Sequence, residues 1–283
     1  MTLNGNILLC TDLDRTLLPN GQQAESPAAR PLFRQLVAHP EVRLAYVSGR
    51  DRQLLLDAIK EYDLPVPDFA IADVGSTIYT IADNNWQIWD EWHTEIGHDW
   101  GSHTQASLAG LLQDLPELQL QEDAKQGKYK LSFYAAENTD TDRLFTTIQQ
   151  RLQPLNIQCN LIWSVDETTH TGLLDILPHN ANKLHAIRFL MQQNHFSASR
   201  VVFAGDSGND LEVLCSDIQS VLVANATPEV HQQAVALAKQ NSSEAQLYLA
   251  QGGFLNMNGN YAAGILEGVV HYLPETRQWF EAD

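Results

Sequence analysis

The sequence of 283 residues has few cysteines and no long apolar run. Its three cysteines, Cys10, Cys159 and Cys215, lie far apart and form no C-x-x-C pair, which fits neither a disulfide framework nor a thiolate zinc site. No stretch approaches the roughly eighteen apolar residues of a membrane span, and the first residues lack the basic segment and apolar core of a signal peptide. We therefore expect a soluble, cytoplasmic protein with no membrane partner.

Positive charge is also scarce in this chain. The 17 Lys and Arg residues stand against 35 Asp and Glu residues, which gives a formal net charge of −18. Such a surface repels polyanions, so the long-range attraction that drives nucleic-acid binding is missing, and we expect no nucleic-acid partner. A small anionic substrate remains compatible with this charge if a metal ion and a few placed cations reverse the field locally.

Apolar segments of strand length alternate with segments of helical spacing at both ends of the chain. The candidate strands near the N-terminus are residues 7–11, 43–48 and 69–72, and the pattern returns at residues 174–177 and 201–204. Strands that alternate with helices are typical of a parallel, doubly wound sheet. With 44% hydrophobic residues, the chain can also bury a sizeable core.

The middle of the chain has a different pattern, in which strand-like residues 130–134 precede an amphipathic helical segment at residues 142–152. We interpret this region as an inserted α+β cap domain, residues 83–172, that selects the substrate. It divides a Rossmann-like α/β core domain formed by residues 1–82 and 173–283.

Two carboxylates stand directly after the first predicted strand, in Asp12-Leu13-Asp14. In extended backbone, residues two apart point to the same side, so one carboxylate can attack while the other handles protons. An isolated pair of this kind is also typical of a capped turn. The interpretation therefore depends on other segments.

Polar residues stand at comparable places elsewhere in the predicted sheet. Ser48 ends the second strand, where a hydroxyl and free backbone N–H groups can hold phosphate oxygens. Lys183 begins a helix, where its ammonium and the helix dipole both favour a phosphate. Each residue alone is more typical of an ordinary turn or a solvated side chain.

The strongest signal is Gly-Asp-Ser-Gly-Asn-Asp at residues 205–210, which follows an apolar strand and opens a helix. Mg²⁺ prefers carboxylate oxygens, so Asp206 beside Asp12 would make a suitable site. Three acidic groups brought together without a cation would repel one another. The sequence therefore predicts a bound magnesium ion.

The order Asp-x-Asp, Ser, Lys, Gly-Asp-x-Gly-Asn-Asp resembles the haloacid dehalogenase-like phosphatase superfamily. Shorter strings resemble its sucrose-phosphate phosphatase branch. They are Gly-Ser-Thr-Ile-Tyr at residues 75–79, Lys-Leu-Ser at 130–132, Leu-Pro at 177–178 before Asn182-Lys183, and Gly-Ile-Leu-Glu at 264–267. Arg15 departs from the superfamily pattern, because relatives often carry a smaller or uncharged residue there.

The resemblance implies a role for each matching residue. Asp12 would be the nucleophile that forms an aspartyl-phosphate, and Asp14 the acid that protonates the leaving oxygen and then activates water. Asp14 must be protonated for the first step, and we expect the neighbouring acids to raise its pKa. Ser48 and Lys183 would hold the transferring phosphoryl group.

The resemblance also implies metal and substrate ligands. Magnesium would be held by Asp12, Asp206 and the Asp14 carbonyl, with Asp210 supporting the metal or orienting Lys183. The implied substrate-binding residues are Ser48, Gly49, Arg50, Ser76, Tyr79, Lys130, Asn182, Lys183 and Asn209.

The leading prediction is a magnesium-dependent phosphatase that hydrolyses sucrose 6-phosphate, with a cognate sugar-phosphate synthase as a possible partner. Alternatives are a phosphatase for mannosylfructose phosphate or glucosylglycerol phosphate, and a sugar phosphomutase that uses the same aspartates. Two non-catalytic alternatives are a receiver-like switch and a sugar-phosphate sensor. An insertion of about ninety residues favours an enzyme, because a cap excludes water and chooses substrates.

Overall fold

The structure is a computed structural model and describes residues 6–166 and 169–280. Within these ranges it contains an eight-stranded and a four-stranded sheet. The strands are β1 (Ile7–Thr11), β2 (Val42–Val47), β3 (Phe69–Ala72), β4 (Thr77–Ala82), β5 (Asn85–Ile88), β6 (Gln119–Leu120), β7 (Leu131–Ala136), β8 (Cys159–Asp166), β9 (Thr171–Pro178), β10 (Val201–Gly205), β11 (Gln219–Leu222) and β12 (Leu247–Leu249). The α-helices are α1 (Ala29–Val37), α2 (Arg52–Glu61), α3 (Asp90–Gly97), α4 (Gln105–Leu112), α5 (Thr141–Leu152), α6 (Lys183–Gln193), α7 (Leu211–Leu214), α8 (Pro228–Asn241) and α9 (Ala262–Tyr272).

The eight-stranded sheet has the order β12-β11-β10-β1-β2-β3-β4-β5. Its first six strands run parallel, and β4 and β5 continue the sheet as an antiparallel hairpin. The predicted doubly wound α/β core is confirmed. The hairpin at the edge was not predicted.

Strand β1 shows why this sheet is covered on both faces. Ile7 and Leu9 belong to one apolar cluster with α1, α2 and α9, whereas Leu8 and Cys10 belong to a second cluster with α6, α7 and α8. Successive side chains of a strand point to opposite faces, so a continuous apolar run requires a helical layer on each side. None of the helices in the described part of the chain has the length and apolar content to cross a bilayer.

The four-stranded sheet is antiparallel, with the order β6-β7-β9-β8. One face packs on α4 and α5 through a third apolar cluster, to which Phe133, Leu144 and Leu174 belong. The opposite face turns towards the carboxyl edge of the eight-stranded sheet. The helix predicted at residues 142–152 is present as α5.

The division between the two sheets does not coincide with the expected boundaries of the insertion. Residues 85–88 form β5 in the core sheet, beyond the predicted start at 83. The assignment of residues 174–177 to the core sheet is wrong, because β9 pairs with β7 and β8 up to Pro178. Leu177 nevertheless packs in a core cluster, so β9 connects the two layers. This is why the apolar run of β9 resembles a core strand. The division into two domains stays a prediction.

Candidate active site

Two carboxylates of the candidate site follow neighbouring strands of the core sheet. Asp12 comes directly after β1 and Asp206 directly after β10, and the Asp12 backbone N–H donates to the Ala204 carbonyl at 2.9 Å. The two strands are parallel and adjacent, so both side chains lie at the carboxyl edge of the sheet. Thr16 links them, since its hydroxyl lies 3.2 Å from Asp206 Oδ1 and 3.4 Å from Asp12 Oδ2.

Asp210 folds back onto the loop that carries Asp206. Its Oδ2 accepts from the backbone N–H groups of Asp206 and Ser207, both at 3.1 Å. A Cβ at Gly205 would lie 2.6 Å from the Asp210 Cγ, so only glycine permits this approach. The packing of Asp210 therefore requires a glycine at position 205.

Lys183 connects the nucleophile candidate to Asp210. Its Nζ donates to Asp12 Oδ1 at 2.9 Å and to Asp210 Oδ1 at 2.7 Å. It also lies 3.3 Å from Asn209 Oδ1. Asn182 caps α6 by accepting from the His185 N–H at 2.8 Å, which fixes the start of the helix and the position of Lys183. Asn182 thus has a capping function in addition to its predicted contact with substrate.

The charges of this cluster are strongly coupled. Burial, together with Asp210 and Asp206, raises the pKa of Asp12 to about 7 against the opposing effect of Lys183. Burial and Asp210 raise the pKa of Asp206 to about 6. Burial lowers the pKa of Lys183, but Asp12 and Asp210 outweigh it and hold that pKa above its ordinary value. Lys183 therefore remains an ammonium group. Its charge does not fully offset the effects of burial and of the neighbouring acids on Asp12 and Asp206.

The donor set fits a magnesium ion. One oxygen each of Asp12, Asp206 and Asp210 lies within 4.8 Å of the others. Asp206 Oδ2 is buried without a hydrogen-bond partner among the described residues, and hard divalent cations prefer such carboxylate oxygens. Both oxygens of Asp210 accept hydrogen bonds, at 2.7 and 3.1 Å, whereas among the described residues Asp12 Oδ2 has only the 3.4 Å contact with the Thr16 hydroxyl. The hydrogen bonds therefore leave Asp206 Oδ2 and Asp12 Oδ2 more available to a metal ion than the oxygens of Asp210.

Asp14 lies in a different environment from its neighbours. Arg50 donates two hydrogen bonds to its carboxylate, from Nε at 2.8 Å and from Nη2 at 2.6 Å, and Asn20 Nδ2 donates at 2.8 Å. Burial raises the pKa of Asp14, but the hydrogen bonds from Arg50 and Asn20 outweigh it and hold the pKa below its usual value. The expectation that neighbouring acids raise this pKa is wrong, because the side chain pairs with a cation outside the acidic cluster.

A cavity of about 740 Å³ opens between the carboxyl edge of the core sheet and the four-stranded sheet. Its lining from the core side includes Gly49, Asp51, Asn182, Lys183 and Asn209. Its lining from the four-stranded sheet and adjoining loop includes Gln121, Lys125, Lys130, Tyr134, Asn160, Ser164 and Asp175. Lys183 therefore faces both the cavity and Asp12.

Some residues implied by the resemblance lie elsewhere. Ser76 is buried, and its hydroxyl donates to the Asp73 carbonyl at 3.0 Å. Tyr79 packs edge-on against Trp86, with 5.6 Å between ring centroids, within an apolar cluster of the core. Neither is among the residues that line the cavity. Arg50 pairs with Asp14, and buried Ser48 accepts from the Arg50 N–H at 3.2 Å.

Sequence reasoning missed Asp175, which lies on the cavity face of β9. Its carboxylate accepts a hydrogen bond from Ser132 and lies 3.9 Å from Lys130 Nζ, which is 3.5 Å from Asp73 of the core. The period-two pattern offered a signal, since Leu174 and Ile176 pack inward and Asp175 must face the other way. The apolar run at residues 174–177 fits a core strand equally well, so this pattern alone does not place Asp175 at the cavity.

Buried acids and a buried lysine at one sheet edge, beneath an α+β layer, form the arrangement predicted for a capped phosphatase of the haloacid dehalogenase-like superfamily. A model of the sucrose-6F-phosphate phosphohydrolase family matches residues 5–273. The chain belongs to this family and is a phosphoric monoester hydrolase. A non-catalytic switch or sensor is therefore no longer a competing interpretation.

Individual relatives agree with this assignment. A protein named as a HAD-like hydrolase in Nitrosococcus oceani is 58% identical over 97% of this chain and 74% of its own length. Mannosylfructose-phosphate phosphatase of Agrobacterium fabrum is 28% identical over 94% of this chain and 96% of its own. Sucrose-phosphatase 1 of Nicotiana tabacum is 26% identical over 96% of this chain, which spans only 60% of that protein.

Among solved structures, the sucrose-phosphatase of Synechocystis, in complex with sucrose and phosphate, superposes with a TM-score of 0.71. The match covers 96% of this chain and 98% of the other at 23% identity. At that identity the likeness shows the fold.

Proposed function

We propose that this protein is a magnesium-dependent phosphatase that hydrolyses sucrose 6-phosphate through a covalent aspartyl-phosphate on Asp12. The observation that carries the proposal is the contact of Asp12 with Lys183, which lines a cavity of about 740 Å³ between the core sheet and the four-stranded sheet. Cavities of roughly 300–1,000 Å³ are typical of small-ligand sites. This one has room for a disaccharide phosphate.

The first step would be attack of an Asp12 carboxylate oxygen on phosphorus, which forms the P–O bond to Asp12 as the bond to the sugar oxygen breaks. Lys183 would bind the equatorial oxygens, where charge spreads in the transition state. Ser48 and Gly49, at the end of β2, would supply further hydrogen bonds. The second step would be attack of water on phosphorus, which returns Asp12 as a carboxylate.

Asp14 would serve as acid and then base. It must give a proton to the leaving sugar oxygen and later remove one from water. Arg50 now holds it as a carboxylate, so the pair would open before Asp14 can protonate the leaving group. Arg50 is therefore proposed to control the orientation of Asp14 rather than to bind sugar.

Magnesium, when bound by Asp12, Asp206 and the Asp14 carbonyl, would offset negative charge on the phosphoryl group and the acids. Asp210 would keep Lys183 directed at Asp12. Asn209, 3.3 Å from Lys183, would lie beside the phosphoryl group.

The sugar would contact the four-stranded sheet. Lys130 and Asp175 present opposite charges at the cavity wall, and Asn160 and Ser164 add neutral donors and acceptors. Hydrogen-bond donors and acceptors that lie this close together suit sugar hydroxyls, which both donate and accept hydrogen bonds. Mannosylfructose phosphate is the alternative substrate, since the Agrobacterium phosphatase aligns with nearly the whole chain. A cognate synthase as partner stays a prediction.

The test is phosphate release from purified protein with sucrose 6-phosphate, mannosylfructose phosphate, glucosylglycerol phosphate and glucose 6-phosphate, each with Mg²⁺ and with EDTA. We expect Mg²⁺-dependent release with the highest kcat/KM for sucrose 6-phosphate. Preference for another disaccharide phosphate would retain the mechanism and change the substrate. Equal rates in EDTA would contradict the metal requirement, and phosphate transfer to sugar without net release would indicate a phosphomutase.

A further inference from the structure

We propose that Arg15 is an internal counter-cation of Asp206 that opposes magnesium binding, so that Arg15 sets the magnesium concentration at which the site fills. The inference deepens the proposed function and rests on its magnesium site. It concerns a residue that departs from the superfamily pattern and has no role in the proposed phosphoryl-transfer steps.

The backbone of Arg15 is fixed from two sides. Its N–H donates to Asn20 Oδ1 at 2.8 Å, and its carbonyl accepts from Asn225 Nδ2 at 2.6 Å. Asn225 Oδ1 in turn accepts from the Tyr261 N–H at 2.8 Å, which ties this loop to the start of α9. The φ angle of Arg15 is 60°, in the left-handed region that favours glycine. A long charged side chain is therefore held where a glycine would be conformationally easier.

The side chain of Arg15 reaches the metal-binding acid. Its Nε lies 3.4 Å from Asp206 Oδ2, and neither buried atom has a hydrogen-bond partner in the described part of the chain. The contact is thus an attraction between charges without hydrogen-bond geometry. The other oxygen of Asp206 accepts from the Thr16 hydroxyl. The oxygen that faces Arg15 is therefore the one that remains available to a metal ion.

The charges around the site show why this contact matters. Asp12, Asp206 and Asp210 bring three acidic groups together, and Lys183 is occupied by Asp12 and Asp210. Arg15 is consequently the nearest described cation for Asp206. A divalent ion at Asp206 Oδ2 would meet the guanidinium at close range, and two like charges so placed repel strongly in a partly buried site.

Arg15 is able to leave when the ion arrives. Its side chain is 41% exposed, whereas that of Asp206 is 2% exposed. A long arginine side chain can turn its charged end into water with little loss of packing, while the buried carboxylate cannot move away. Filling the site would therefore cost the Arg15–Asp206 attraction, which lowers the apparent affinity for Mg²⁺.

The experiment is calorimetric titration of Mg²⁺ into EDTA-stripped, desalted protein, without substrate. Arg15→Gln removes the charge and nearly preserves the length, and Arg15→Gly suits the left-handed backbone if the first variant folds poorly. Arg15→Lys keeps the charge. Arg188→Gln is the matched control, because it removes one positive charge from a surface pair with Asp217.

We expect Arg15→Gln and Arg15→Gly to lower the Mg²⁺ dissociation constant about fivefold. Arg15→Lys should remain within about twofold of wild type, as should Arg188→Gln. Unchanged or weaker binding in both charge-removing variants would overturn the proposal. Absence of saturable binding in wild type would overturn it together with the magnesium site, whereas phosphate release from the substrate panel tests the hydrolytic function separately.

Discussion

The two walls of the cavity are built on different principles. The core wall includes Lys183, which is buried and joined by short hydrogen bonds to the buried acids Asp12 and Asp210. The wall on the four-stranded sheet carries half-buried side chains such as Asn160 and Asp175. Buried ionic groups are fixed by one another and tolerate little change, whereas half-exposed polar groups can exchange partners with water or sugar. We therefore expect the core wall to determine kcat and the opposite wall to determine KM.

The largest expected effect is on the core wall, from Asp12→Asn. Loss of the nucleophile should reduce kcat by about 10⁴-fold or more, because an amide cannot form the acyl phosphate. The measurement is initial-rate phosphate release, with circular dichroism to confirm the fold. Asp57→Asn, an exposed acid on α2, is the control. A kcat within tenfold of wild type would refute the assignment.

Asp206→Asn should stabilise the metal-free protein and remove the stabilisation that Mg²⁺ gives. The pKa of Asp206 is raised from 3.8 to about 6, so the folded protein binds more protons than the unfolded chain in this range, and metal-free stability falls as pH rises through it. Removing the charge should raise the melting temperature in EDTA at pH 7 by about 3 °C, with no gain at pH 4.

The same variant should lose the stabilisation that Mg²⁺ gives wild type, as thermal melts with and without Mg²⁺ would show. If Asp206→Asn instead melts at a lower temperature than wild type in EDTA at pH 7, the Asp206 carboxylate does not destabilise the metal-free protein.

Asp175→Asn tests the opposite wall. Loss of the charged acceptor should raise KM for the preferred disaccharide phosphate about tenfold, with kcat changed less than about threefold. Glucose 6-phosphate provides a comparison, because a monosaccharide would leave part of the cavity unfilled. If kcat falls as far as kcat/KM, Asp175 acts on the reacting centre and the proposed difference between the walls is incorrect.

The smallest effect should come from the contact between the walls. Lys125 Nζ lies 3.3 Å from Asp51 Oδ2, and the other oxygen of Asp51, Oδ1, caps α2 by accepting from the Leu54 N–H. Lys125→Gln should raise KM by less than about threefold at low ionic strength, and added salt should abolish the difference, because exposed pairs are weak and screened. A large, salt-independent change would show that Lys125 contacts substrate directly.

The positions of the core-site residues were predictable from the sequence because each of them borders a strand or helix of a parallel sheet, whereas their chemical roles stay predictions. Asp12, Asp206 and Lys183 meet in space for this reason, and the four-segment order identified the superfamily. The ion pair between Asp14 and Arg50 was not predicted. Their pairing depends on where loop side chains point, which strand pattern does not determine. Asp175 was missed because β9 connects both layers, so its apolar residues fit either sheet.

The central claim, a covalent phosphate on Asp12, is tested most directly in the Asp14→Asn variant with p-nitrophenyl phosphate. This leaving group needs no acid, whereas hydrolysis of the intermediate still needs the base, so phosphoenzyme should accumulate. We predict intact protein carrying one added phosphoryl group, localised to Asp12 by peptide mass spectrometry and absent from Asp12→Asn/Asp14→Asn. Steady p-nitrophenol release with no modified protein, or modification of another residue, would contradict the mechanism.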